Sequence, residues 1–132
     1  MIVADASAII EILLNTPLAP ACRELLLEPT ESACAPQILD VEVCQVLRRY
    51  VCTRELPASR AAVALADLRD LPLIRYGHEQ LVRRIWELRE SVSAYDASYL
   101  ALAEAVGGPL VTCDARLGRS HGRRAVVRVI GS

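Results

Sequence analysis

Asp5, Glu42, Asp96 and Asp114 are the side chains of this sequence best placed to do chemistry together. Asp5 directly follows the apolar run Ile2-Val3-Ala4, and Asp114 closely follows Leu110-Val111-Thr112. Glu42 has Ile38, Leu39 and Val46 at helical spacing; Asp96 has Tyr99, Leu100 and Ala103. A carboxylate on an apolar face is costly unless it is paired or bound to a cation. Only Arg49 falls near Glu42's side of a helix, and no basic residue accompanies Asp5 or Asp96 locally. At an effective dielectric near 20, two carboxylates about 5 Å apart repel by roughly 3 kcal/mol. A hard divalent cation removes that cost, and all-oxygen ligands select Mg²⁺ or Mn²⁺ over zinc. A cation held this way makes bound water lose its proton more easily and polarises oxygen ligands.

Each acid also has an ordinary reading. Ser93-Ala94-Tyr95-Asp96 fits a capping box, and taken alone Asp96 is better explained as a cap. Glu42 alone is a helix residue at the edge of an apolar stripe, and Asp5 and Asp114 alone are turn or N-cap residues. Two acids at strand ends and two at partly apolar helix positions together outweigh these ordinary readings.

The elements that must position these acids follow from apolar periodicity. Ile2–Ala4 reads as a buried parallel strand. Residues 7–15 read as a helix, and Thr16-Pro17 as the cap and first residue of a second helix reaching Leu27. Ser32–Ala35 is a weak strand. Pro36 opens a long helix to Arg54, and residues 58–70 form another. Leu73-Ile74 is a short strand. Residues 78–90 form an amphipathic helix with Leu81, Ile85, Trp86 and Leu88. Residues 94–106 form a helix apolar almost all round, stopped by Gly107-Gly108-Pro109. Leu110–Thr112 is a buried strand, and 125–130 an edge-like one. Short strands alternating with helices argue for an α/β sandwich with a parallel sheet. In such sheets ligands bind outside the carboxyl ends of the strands, where the strand order reverses, which is where Asp5 and Asp114 fall.

Composition excludes several alternatives. The 132 residues suit a single domain over 1–132, and a hydrophobic fraction of 53% argues against disorder. All 15 basic residues are Arg; without Lys there is no P-loop lysine, Schiff-base lysine or lysine general base. Net charge is −1, so contact with nucleic acid must come from a local patch. The cysteines at 22, 34, 44, 52 and 113 are odd in number and contain no CxxC pair, so most read as small buried residues in a reducing cytoplasm. No signal peptide or membrane-spanning run is visible. His78 and His121 lie apart from the four acids, which disfavours histidine-dependent transphosphorylation.

Val3-Ala4-Asp5-Ala6-Ser7-Ala8 resembles the opening motif of PIN-domain ribonucleases, in particular VapC toxins of bacterial toxin–antitoxin pairs. Leu39-Asp40-Val41-Glu42 with Val46-Leu47-Arg48-Arg49 resembles their second motif, and Tyr95-Asp96-Ala97-Ser98-Tyr99-Leu100-Ala101-Leu102-Ala103 their third. Leu110-Val111-Thr112-Cys113-Asp114-Ala115-Arg116-Leu117 is similar to the fourth. The resemblance implies a PIN-like three-layer α/β sandwich, its parallel sheet ordered 3-2-1-4-5 with helices on both faces. It implies Mg²⁺- or Mn²⁺-dependent endonucleolytic cleavage of RNA, with Asp5, Glu42, Asp96 and Asp114 as metal-binding acids. Ser7 and Thr112 match hydroxyls that support them. A cognate antitoxin and a homodimer are implied as partners.

Two positions depart from the family pattern. Another acid often follows the fourth, where this chain has Ala115, Arg116 and Leu117; this leaves the number of metal ions open. Gln45 stands where Asn is common. Arg116, Arg119, Arg123 and Arg124 are candidates for a phosphate-holding rim. Two competing readings remain. One is a PIN-fold module that acts through protein or RNA binding without cleavage. The other is a haloacid-type phosphatase with Asp5 as nucleophile, which would want a second Asp at the position of Ser7.

Overall fold

A computed structural model describes residues 1–28 and 30–131. In chain order the elements are β1 (Ile2–Ala4), α1 (Ala6–Leu14), α2 (Ala19–Leu26), β2 (Ala33–Pro36), α3 (Ile38–Cys52), α4 (Ala58–Asp70) and β3 (Leu73–Tyr76). A 3₁₀ turn (Glu79–Leu81) leads into α5 (Val82–Glu87), followed by α6 (Ala94–Val106), β4 (Leu110–Thr112), α7 (Ala115–Gly118) and β5 (Val127–Val129). The five strands form one sheet of order β3-β2-β1-β4-β5, parallel at every pairing.

That order explains the layers. The chain steps outward from β1 to β2 to β3, with α1 to α4 packed among themselves. It then returns across the sheet to β4, and α6 packs on β1, β2 and β4 with α5 at its back. Parallel crossovers keep one hand, so reversing direction puts the returning helix on the opposite face. The reversal lies between β1 and β4, which are neighbours through Val3↔Leu110 and Ala4↔Val111. Both strands are fully buried, as is most of α6 from Ala97 to Ala103. The core is aliphatic, with Tyr99 its largest fully buried side chain.

Local chemistry sets the boundaries of α6. Ser93 caps it by accepting from the Asp96 amide at 3.1 Å, and Gly107 ends it at φ 69°. Gly108 has a different duty: a Cβ there would lie 1.9 Å from the Met1 carbonyl oxygen, so only glycine lets the chain pass β1 this closely.

Several expected boundaries shift. Pro36 ends β2 instead of opening α3. It pairs with Tyr76 of β3 but lies beyond the pairing with β1, where its missing N–H is not needed. Thr16-Pro17 does not start α2; Pro20 takes the first-turn position, and the Thr16 hydroxyl bonds Glu11. β3 runs on to Tyr76 because the ladder with β2 recruits Arg75, whose guanidinium binds both oxygens of Asp40. The helix expected over 78–90 is reduced to the 3₁₀ turn and α5, and Trp86 is 66% exposed. Of the five cysteines, all free, Cys22 and Cys34 are buried while Cys44 and Cys52 are exposed. No helix among the described residues is long and apolar enough to cross a membrane.

Candidate active site

Asp5 is 7% exposed and is the only charged residue among the described ones that the core engulfs. It stands between the end of β1 and the start of α1, its amide bonded to the Val111 carbonyl of β4. Two hydroxyls hold its Oδ2: Ser7 donates at 2.6 Å and Thr112 at 2.7 Å. Those hydroxyls also accept. The Cys113 amide donates to Ser7 Oγ and the Asp114 amide to Thr112 Oγ1, each at 2.9 Å. One small network therefore ties β1, α1 and the turn after β4 into a fixed corner. Burial pushes the Asp5 carboxyl up, opposed by the bonds from Ser7, Thr112 and the first helical amides. Ser7 and Thr112 thus both hold the same oxygen of Asp5.

Glu42 and Asp96 reach the same corner from α3 and α6. Both are half-buried, and in both desolvation is the largest cause of a raised carboxyl pKa. Like charge adds to it: Asp5 and Asp96 act on Glu42, and Asp5 and Asp114 act on Asp96. The fully buried Tyr99 hydroxyl donates to Glu42 Oε1 at 2.5 Å and partly offsets the rise. Burial and the carboxylate push the Tyr99 phenol far up, so it stays protonated as a donor. The Asp96 amide is capped by Ser93, and its carboxylate is raised by Asp5, lowered by Arg116 and raised by Asp114.

Asp114 differs from the other three. It caps α7, accepting from the Arg116 amide at 3.0 Å, and the Arg116 guanidinium grips both its oxygens, closest at 2.7 Å. That guanidinium holds the Asp114 carboxyl below the usual range. An open cleft of about 700 Å³ runs from Glu42 and Asp96 past Arg116 and Arg119 to Arg89, Ser91 and His121. Arg123 does not join this rim. Its guanidinium donates to the Ala125 and Gly118 carbonyls at 2.6 and 3.0 Å and braces the loop before β5. Arg124 lines a separate hollow beside Glu104 and Gly108. A run of arginines close in sequence is thus divided by the turn that carries them.

The whole-chain comparisons agree with this fold. A PIN-domain family profile matches residues 2–121. Ribonuclease VapC12 of Mycobacterium tuberculosis is 36% identical over 130 residues, spanning 98% of this chain and 99% of that protein. Ribonuclease VapC9 of the same species is 41% identical over 130 residues, with 98% of each covered. This chain belongs to the PIN-domain family. Within that family it is similar to proteins named VapC ribonucleases. Among solved structures, VapBC2 from Rickettsia felis bound to a promoter DNA fragment superposes with TM-score 0.71 at 14% identity, covering 98% of this chain and 99% of that one. Mycobacterium tuberculosis VapC20, titled a sarcin–ricin loop cleaving toxin, gives 0.68 at 16%, covering 96% and 98%. At such identities the likeness shows the fold.

PIN-domain proteins of this kind imply a divalent metal, and the donor set here fits one. Asp5, Glu42 and Asp96 offer oxygen only, repel one another, and have no arginine bonded to them. The chain alone does not close a cage: no group of three His, Cys, Asp or Glu among the described residues is ready-made for an ion. The sequence reading missed Tyr99 as the partner of Glu42, and Arg89 and His121 as cleft residues. Tyr99 was legible as a polar group three residues after Asp96 on a buried helix; Arg89 and His121 carry no such signal.

Proposed function

We propose that this chain is a Mg²⁺- or Mn²⁺-dependent endoribonuclease that acts in the cytoplasm as the toxin of a toxin–antitoxin pair. The observation that carries this reading is a set of three carboxyls raised by burial, with Asp5 raising Glu42 and Asp96 further, of which Glu42 and Asp96 line an arginine-edged cleft. Asp5, Asp96 and Asp114 would hold the ion, with Glu42 completing its shell or orienting the attacking water. When bound, the metal supplies an acidified water and charge neutralisation on the phosphate. Ser7 and Thr112 fix Asp5, and Tyr99 fixes Glu42. Arg116 and Arg119, joined by Arg89, bind the RNA backbone. Water adds to phosphorus, the bond to the 3′ oxygen breaks, and that oxygen takes a proton. The products carry a 5′-phosphate and a 3′-hydroxyl, and the RNA 2′-hydroxyl is not used.

The names of the similar relatives support the substrate, and two structural neighbours, VapBC2 and a toxin–antitoxin complex from Klebsiella pneumoniae, support an antitoxin partner. A homodimer is part of the same reading. The test is cleavage of an oligoribonucleotide by the purified chain with Mg²⁺, Mn²⁺ or EDTA, followed by analysis of the new ends. Cleavage blocked by EDTA, leaving 5′-phosphates, is expected. Binding without cleavage would favour a module acting by association, and 2′,3′-cyclic phosphate ends would contradict the mechanism.

A further inference from the structure

Asp114 already has a cation, and its hold is loose. Arg116 reaches it through Nη2 to Oδ2 at 2.7 Å and through Nε to Oδ1 and Oδ2 at 3.1 and 3.2 Å. Those bonds go to one partner: among the described residues the Arg116 guanidinium donates to nothing else. Its side chain is 76% exposed against 24% for Asp114. Arg84 differs, since it donates to the Gly122 carbonyl as well as to Glu104, and Arg123 donates to two backbone carbonyls. An ion pair as exposed as Arg116–Asp114 shifts an equilibrium by only a few-fold, so a divalent ion competes with it easily. Arg116 also lines the cleft that holds Glu42, Asp96 and Arg119. A guanidinium fork fits a phosphate as well as it fits a carboxylate.

We propose that Arg116 exchanges partners during the working cycle. It neutralises Asp114 until a divalent cation takes that carboxylate, and the freed guanidinium then takes a phosphate oxygen of the RNA. The proposal rests on the metal-dependent reading above. It places a cation in the turn after β4, where the family pattern often has a further acid. It also couples the two binding events. Metal frees the phosphate-binding group, and phosphate removes the competitor for the metal's ligand, by one shared factor. No backbone rearrangement is required, because Asp114 and Arg116 are two residues apart on one helical turn.

The test is a calorimetric titration of Mn²⁺ into the wild type, Arg116→Gln and Arg119→Gln. The second variant makes the same charge change in the same cleft without a bond to Asp114. A nucleoside 5′-monophosphate is then titrated with and without Mn²⁺; it carries the phosphate but no phosphodiester to cut. Arg116→Gln is expected to bind Mn²⁺ about two- to fivefold more tightly than the wild type. Arg119→Gln should stay near the wild type, and Mn²⁺ should strengthen nucleotide binding less in Arg116→Gln than in the wild type. Unchanged or weaker Mn²⁺ binding by Arg116→Gln would overturn the exchange and leave the metal-dependent reading standing. An equal gain in Arg119→Gln would also overturn it, as an effect of net charge alone. A wild type that binds no Mn²⁺ and cleaves RNA in EDTA would remove both.

Discussion

Asp5 and Asp114 occupy equivalent places in the topology and have opposite environments. Each follows a short buried strand, β1 or β4, on either side of the point where the strand order reverses. Asp5 is enclosed, bonded by neutral hydroxyls, and raised in pKa by its burial. Asp114 is partly exposed, bonded by a guanidinium, and lowered. Strand-end position therefore gathers acids but does not set their charge. What sets it is the neighbour: a hydroxyl orients a carboxylate without neutralising it, and an arginine does both. Among the described residues no cationic side chain bonds Asp5, whereas Arg116 bonds Asp114.

Asn at each position breaks the comparison most severely. Asp5→Asn should lower RNA cleavage at least about 10²-fold, since it removes a carboxylate proposed to hold the metal. It should also leave the metal-free fold at least as stable. A raised pKa means that Asp5's stabilising contribution is present below its ordinary value and is lost as pH rises through the folded value. The advantage of Asp5→Asn over the wild type should therefore grow as pH rises from the acid range toward neutral. Asp114 has the opposite sign: its contribution is present above its ordinary value and is lost as pH falls through the depressed one. Asp114→Asn should be the less stable variant at neutral pH. Melting curves in EDTA across pH check both, and curves of the same sign would end the comparison.

Thr112→Val attacks the link between the two acids. The hydroxyl is fully buried, donates to Asp5 and accepts from the Asp114 amide. Its loss should cost about 1–3 kcal/mol in chemical denaturation and about tenfold in cleavage. Tyr99→Phe is milder, removing one oxygen. It should lower cleavage by about three- to tenfold, with melting little changed. The Tyr99 bond lowers the Glu42 pKa, so without it the acid limb of the pH–rate profile should move to higher pH. A limb that stays in place would deny Tyr99 its hold on a working Glu42. The smallest effects belong to the outer arginines. Arg119→Gln should reduce the slope of log affinity for RNA against log salt by about one, and Arg124→Gln should leave it unchanged.

Much of this could be read from the chain, and what escaped has physical reasons. β1, α1, α6 and β4 were legible because apolar residues ran unbroken up to Asp5 and Asp114, and Gly107 marked a stop. The end of β3 was not, because Arg75 and Tyr76 are strand residues only through their partners on β2. The prolines misled in a consistent way: Pro36 and Pro17 mark boundaries, yet whether a strand ends or a helix begins depends on neighbours distant in sequence. The four acids were visible as a set. Their differing environments were not, since Tyr99 lies 57 residues from Glu42 along the chain, and Arg116 stands among the positions where a further acid is often found. Arg123 and Arg124 looked equivalent to Arg116 and Arg119 until the turn faced them elsewhere.

The central claim is that Asp5 and the acids around it are held in readiness for a divalent ion. The most direct test is the melting temperature of the wild type and of Asp5→Asn at neutral pH over a Mn²⁺ titration. The account expects the wild type to rise with metal as mass action requires and Asp5→Asn to stay nearly flat. A wild type indifferent to Mn²⁺, or the same rise in both proteins, would contradict it.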